Sequence, residues 1–131
     1  VRSASVAVDG GEVSSIGPGM LVLLGVAEGD GPAQAEKMAG RLTRLRIFSD
    51  AEGRMNEALG DREILCVSQF TLMADTSSGH RPGFSAAARP DVAEPLYDTV
   101  CELTGAARGV FGADMLVRME GDGPVTVLLE T

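Results

Sequence analysis

The chain has 131 residues, 44% of them hydrophobic and 23% charged, and a formal net charge of −8. This length suits one domain that buries roughly two-thirds of its unfolded surface, and the longest apolar run, Met20 to Leu24, is far too short for a membrane-spanning helix. The acid excess argues against a protein that grips many phosphates along DNA or RNA, although ten of the 11 cations are Arg and five of these fall between Arg41 and Arg62, where a local basic patch can form.

At the start, Val6 and Val8 alternate with small or polar residues, Asp9-Gly10-Gly11 supplies a turn, and Glu12 to Ile16 reads as the return strand. Gly17-Pro18-Gly19 breaks the pattern before Met20 to Val26, a run apolar on both faces that belongs in the middle of a sheet or between layers. Asp30 is placed to cap a helix with Pro32 in its first turn. Ala35, Met38, Ala39, Leu42 and Leu45 then share one face, with Glu36, Lys37, Arg41 and Arg44 opposite. Asp50 to Gly53 reads as a turn, and Glu63 to Leu72 as a strand containing the buried run Ile64-Leu65-Cys66-Val67. Asp75 to Arg89 is irregular, rich in Gly, Ser and Pro, and of a length that in a compact domain is usually functional or disordered. A second helix from Asp91 to about Thr104 carries Ala93, Leu96, Tyr97, Val100 and Leu103 as its apolar stripe. Asp91 and Glu94 form its capping box, and Pro95 lies in its first turn. Met115 to Met119 and Val125 to Leu129 read as a closing hairpin around Gly121-Asp122-Gly123-Pro124. This order predicts one α+β domain over residues 1–131, mainly antiparallel sheets with two helices packed to one side.

Neither a G-x-G-x-x-G after a strand nor a Walker loop is present, so no nucleotide cofactor is expected. Cys66 and Cys101 lie in apolar elements without C-x-x-C spacing, as reduced buried thiols of a cytoplasmic protein would. His80 is the single histidine, and no carboxylate cluster accompanies it, so no metal is expected. No basic-then-apolar leader opens the chain, and Val1 in place of Met suggests a stretch preceding it.

Three segments carry the chemistry. Ser68-Gln69-Phe70-Thr71-Leu72 is the polar end of a buried strand. Gly79-His80-Arg81-Pro82-Gly83-Phe84 is a loop bearing a cation between Gly and Pro. Asp122-Gly123-Pro124-Val125-Thr126 interrupts an aliphatic stretch. A nucleophilic triad is possible on paper, with Ser68 or Thr71 attacking, His80 as base and Asp75 or Asp114 behind it.

Together these segments resemble the D-aminoacyl-tRNA deacylases, whose pattern includes S-Q-F-T-L, a G-x-R-P-S-F loop and a Gly-Pro pair in N-x-G-P-V-T. Arg46-Ile47-Phe48-Ser49-Asp50 and Phe111-Gly112-Ala113-Asp114-Met115 also look like family segments in the right order, so the resemblance runs over nearly the whole chain. It implies a cytoplasmic homodimer with the deacylase fold, working without cofactor or metal. The implied reaction is hydrolysis of the D-aminoacyl-tRNA ester, releasing free amino acid and tRNA, with glycyl-tRNA mischarged on tRNA-Ala also accepted. An acidic chain suits that partner where only the terminal adenosine is held and few phosphates need neutralising.

In the family the strand end lines the pocket for the aminoacylated 3′ adenosine, which maps here onto Ser68, Gln69, Phe70, Thr71 and Leu72. Arg81, Pro82 and Phe84 are the implied loop contacts. The family is understood to rely on the RNA 2′-hydroxyl, so Thr71 is expected to position substrate while Gln69 and Phe70 offer backbone donors to the carbonyl. An aminoacyl ester is reactive enough for positioning plus oxyanion stabilisation to suffice. Only X-Pro bonds adopt cis cheaply, at roughly 0.5–1 kcal/mol above trans. A cis Gly123-Pro124 would aim two carbonyls at the substrate amine and leave no room for an L side chain. The resemblance implies that this pair acts in trans, in the partner's site.

Gly83 replaces the family's loop Ser, Gly121 replaces the Asn that opens N-x-G-P, and the family Arg that steadies the Gly-Pro pair would precede Val1. These departures keep a second reading open: a non-catalytic module on the same fold that binds an RNA end or a small ligand. A third is an editing domain partnered with a synthetase.

Overall fold

The computed structural model describes residues Val1–Thr131. Strands β1 (Ser3–Val8) and β2 (Gly11–Ile16) form the expected antiparallel hairpin. Its two-residue turn needs positive φ at both positions, met by Asp9 at 51° and Gly10 at 80°. The last strand, β8 (Leu116–Glu120), pairs antiparallel with the free side of β1, giving the order β2-β1-β8.

The second sheet is parallel. Its order is β3 (Gly19–Leu24), β6 (Glu63–Ser68) and β7 (Ala107–Arg108). Helix α1 (Pro32–Arg44) and the short antiparallel pair β4 (Phe48–Ser49) and β5 (Met55–Glu57) lie in the connection from β3 to β6. A parallel neighbour demands such a long crossover. Antiparallel pairing therefore describes one sheet and one small hairpin, and not the sheet that carries the site. Within it β3 is an edge, and β6 is the central strand with Ile64 to Val67 all buried. Gly19 sits against the start of β6, where a β-carbon would fall 1.8 Å from the Glu63 carbonyl oxygen.

Alternation along β6 divides the core into layers. Ile64 and Cys66 join Met20, Leu24, Ala35, Leu42, Leu96 and Tyr97 in the larger cluster, under α1 and α2 (Pro90–Thr104). Leu65 and Val67 point the other way and meet Ala4, Val6 and Ile16 of the antiparallel sheet. Both helices thus cover one face, as expected. No helix is long and apolar enough to cross a membrane.

Several local expectations are corrected. Helix α1 is capped by Gly31: the Asp30 carboxylate accepts from the Ala27 N–H at 2.9 Å, while Gln34 Oε1 accepts from the Gly31 N–H at 2.8 Å. Helix α2 begins at Pro90 with Arg89 as its cap, so Asp91 and Glu94 form no box and Pro95 falls beyond the first turn. In both helices Pro takes the first position, which fixes the cap one residue earlier. Cys101 joins the α2 stripe and Leu103 leaves it, 56% exposed. The closing hairpin is absent. Residues 121–131 form no strand and make no backbone–backbone hydrogen bond, so β8 remains an edge strand paired only with β1.

Candidate active site at the end of β6

The parallel register aligns Leu24 with Ser68, so the carboxyl ends of β3 and β6 open at the same edge. The Gln69 N–H donates to the Leu24 carbonyl at 2.8 Å. Beyond that bond β3 supplies no further partner, and the strand expected to reach Leu72 turns into a 3₁₀ helix over Phe70–Met73.

This turn leaves two adjacent donors free. The Leu72 N–H bonds to the Gln69 carbonyl at 3.3 Å and the Ala74 N–H to that of Thr71 at 3.1 Å. The N–H groups of Phe70 and Thr71 meet no acceptor within the chain. Of the expected donors, Gln69 and Phe70, the Gln69 amide is engaged by Leu24 and the Phe70 amide remains free. The Gln69 side chain turns along the site instead, its Nε2 donating to Thr71 Oγ1 at 2.5 Å. That contact uses one acceptor lone pair of exposed Thr71 and leaves its hydroxyl proton free to donate.

The long loop is pinned at its root. Asp75 and Gly83 exchange two backbone hydrogen bonds of 2.8 and 2.9 Å. Asp75 Oδ1 also accepts from the Ser77 hydroxyl at 2.6 Å and the Ser77 N–H at 2.9 Å. These bonds, the hydroxyl first, hold the Asp75 carboxyl below its usual range. The Phe84 ring meets Phe70 edge-on, with centroids 5.0 Å apart and planes at 70°. The first motif and the end of the second are therefore joined.

Other candidates stand apart. Ser68 is half-buried at the end of β6, whereas Leu72, Arg81 and Pro82 are exposed. His80 is also exposed and shares no hydrogen bond with Ser68 or Thr71, so no triad is assembled. The Gly123-Pro124 peptide bond is cis. Both residues are exposed, and no hydrogen bond, ion pair or ring contact links them to Ser68–Leu72 of the same chain. No group of three or more His, Cys, Asp or Glu side chains is arranged to hold a metal ion.

A model of the family described as D-Tyr-tRNA(Tyr) deacylase matches residues 1–130. The chain belongs to this family. Over its whole length it is 51% identical to a D-aminoacyl-tRNA deacylase of Dehalococcoides mccartyi, covering 90% of that protein. It is 50% identical to a D-aminoacyl-tRNA deacylase of Opitutus terrae, with 93% of that relative covered. Among solved structures, the c-Myc DNA unwinding element binding protein superposes with a TM-score of 0.94 at 38% identity, covering 100% of this chain and 94% of that one. A chain described as a probable eukaryotic D-amino acid tRNA deacylase shares the fold at 19% identity, with a TM-score of 0.79 and coverage of 94% and 91%.

This deacylase-family chain also uses residues that the motifs did not mark. Gly25 lies under the turn, where a β-carbon would stand 2.8 Å from Met73 Cε, 3.2 Å from Leu72 Cβ and 3.3 Å from the Gln69 oxygen. The signal for it was present, since an isolated Gly in an apolar strand run marks a close backbone approach. Deeper in, the Tyr97 hydroxyl donates to the Cys66 carbonyl at 2.7 Å, tying α2 to β6 two residues before Ser68. The neighbouring Cys101 thiol and burial push the Cys66 thiol up, keeping it protonated and unreactive.

Proposed function

We propose that the protein hydrolyses the ester of D-aminoacyl-tRNA, releasing free amino acid and tRNA. The observation that carries this reading is the adjacent pair of free N–H groups on Phe70 and Thr71, beside a hydroxyl oriented by Gln69 at the open end of a parallel sheet. When water attacks an ester carbonyl, its oxygen gains negative charge. Donors already fixed by a backbone turn stabilise that charge without reorganising. The ribose hydroxyl beside the ester orients the water, and Thr71 positions the substrate. No ionised side chain is required.

In this reading the protein is a cytoplasmic homodimer, and Gly123-Pro124 of one subunit screens the substrate bound at Ser68–Leu72 of the other. The exposure of the segment supports it: Val125 is 43%, Val127 47% and Leu128 84% exposed, beside Met119 at 57% on β8. A second copy would cover this apolar surface. Phe70 and Phe84 offer an aromatic edge to the terminal base, and Arg81 and Pro82 rim it. Glycyl esters, having no side chain to reject, pass the same screen.

Deacylation of matched D- and L-tyrosyl-tRNA, with and without chelator, tests this. Fast D-selective release insensitive to chelator is expected. Release at the spontaneous rate with retained binding would leave a binding module, and equal release of both enantiomers would remove the screen.

A further inference from the structure

The Gly123-Pro124 segment has few holds on its own subunit. No backbone group of residues 121–131 bonds to the chain's backbone, and Gly121 through Leu128 are exposed. Before the motif, Arg2 Nε meets Asp122 Oδ2 at 3.2 Å, with side chains 69% and 58% exposed. An ion pair so open to solvent contributes little. After the motif the holds are firmer. Leu129 is half-buried against the larger core cluster. The Arg41 guanidinium, on α1, donates to the Glu130 carbonyl. Thr131 reaches a cavity of about 30 Å³ lined also by Leu24, Gly25, Asp30, Gln34 and Leu96. Leu24 and Gly25 are the residues that support the Gln69–Met73 turn from below. The tail therefore runs from the motif to the underside of its own subunit's site.

We infer that Arg41 is a positioning residue for the Gly123-Pro124 pair. The stretch from Gly123 to Leu128 hangs between Asp122 and Leu129, so its place depends on how firmly its two ends are held. The apolar contact of Leu129 resists departure from the core, but such contacts are non-directional and do not oppose sliding along it. A guanidinium bonded to one carbonyl is directional and charge-assisted, and it fixes which residue lies over α1. Arg41 stands on the outer side of a regular helix whose buried residues are Ala35, Ala39 and Leu42, so its loss leaves the core intact. The inference rests on the reading that Gly123-Pro124 screens substrate, and Arg41 itself touches none.

Full-length protein carrying Arg41→Ala or Arg41→Lys tests this through two readouts. Backbone ¹⁵N order parameters of residues 123–131 need no activity at all. Arg41→Ala is expected to lower them there alone, with an unchanged melting temperature, and Arg41→Lys to recover part of the loss. In the second readout, the ratio of D- to L-tyrosyl-tRNA hydrolysis falls roughly five- to tenfold in Arg41→Ala, the scale of one net hydrogen bond. Order parameters that do not change in Arg41→Ala overturn the inference whatever the activity. So does a loss of order across the molecule with a falling melting temperature and no rescue by Lys. If wild-type protein fails to distinguish the enantiomers, the functional reading falls, while the relaxation measurement still decides the role of Arg41.

Discussion

Gly25 and Leu72 lie so close that a β-carbon on the glycine would stand 3.2 Å from the β-carbon of the leucine. The Met73 methyl, 2.8 Å from the same point, is the tip of a flexible side chain and can swing away. Leu72 Cβ and the Gln69 carbonyl belong to the turn and cannot move without it. Gly25→Ala is therefore expected to cost about 1–3 kcal/mol of stability, as overpacking does, and to lower kcat more than it raises KM. Urea unfolding and steady-state kinetics check this together. Wild-type values in both would mean that the turn is not supported from below.

The free Phe70 N–H can be removed without breaking an internal bond. Phe70 is the first residue of the 3₁₀ turn, the helical position where proline is best tolerated, and the preceding Gln69, at φ −141° and ψ 83°, lies outside the α region that a following proline disfavours. Phe70→Ala removes the ring and keeps the donor, whereas Phe70→Pro removes both. The proline variant should show a kcat roughly 10²–10³-fold below that of the alanine variant, the loss expected for one oxyanion donor. Equal rates would rule out this amide as a contributor.

Side-chain nucleophiles make a contrasting prediction. Thr71→Ala should lower kcat/KM by less than about tenfold, the effect of one lost hydrogen bond. His80→Ala should leave it unchanged. A fall of roughly 10⁴-fold or more in either variant would point to a nucleophile or its base.

Hybrid dimers separate action in trans from action in cis. Gly123 has φ of +127°, and a β-carbon there would lie 3.0 Å from the Val125 nitrogen, so Gly123→Ala should distort the motif and lose enantiomer discrimination. Phe70→Pro subunits supply an intact motif on a disabled site. Mixing the two should restore D-selective turnover, because in the proposed trans arrangement the one working site would face the one intact Gly-Pro pair. Hybrids verified by mass that hydrolyse both enantiomers equally would sink the trans arrangement.

The root of the loop predicts a pH response. Asp75 is held below its usual carboxylate range by the hydroxyl and amide of Ser77. A folded-state pKa below the unfolded value of about 3.9 gives stability that is complete above that value and is lost as pH falls through the lower one. The Ser77 amide resonance should stay constant from neutrality to about pH 5 and move only in stronger acid. Asp75→Asn should abolish the movement and keep the two backbone bonds to Gly83. A shift centred near pH 6 would assign the titration to another group.

The legible parts of the fold were those set by apolar period: the α1 face at Ala35, Ala39 and Leu42, and the α2 face at Ala93, Leu96, Tyr97 and Val100. Both caps were misplaced because polar residues outside the boundary were weighed above the prolines that define it. The direction of β6 against β3 was not legible, since a fully buried run has the same composition whichever way its neighbour points. The strand reading of Val125 to Leu129 rested on an apolar run with partial alternation, but such a pattern does not say whether a neighbouring strand is there to pair with it. At the site, Ser68 to Leu72 and Phe84 could be marked from their motifs. Which amides remain unbonded depends on where β3 ends, and that is a tertiary fact.

The loop from Asp75 to Gly83 closes on itself, and apart from the bonds of Ser77 to Asp75, residues 76–82 form no hydrogen bond with the rest of the molecule. Its tip can thus be rewritten without disturbing the sheet, and lengthening it adds a closure cost that grows only slowly, about 0.6 kcal/mol for each doubling. A scaffold of this kind separates what must be inherited unchanged from what is open to experiment. Under the proposed function, amino-acid or acceptor-end preference can drift among descendants through the tip alone, while the free amides of Phe70 and Thr71 stay where β6 ends.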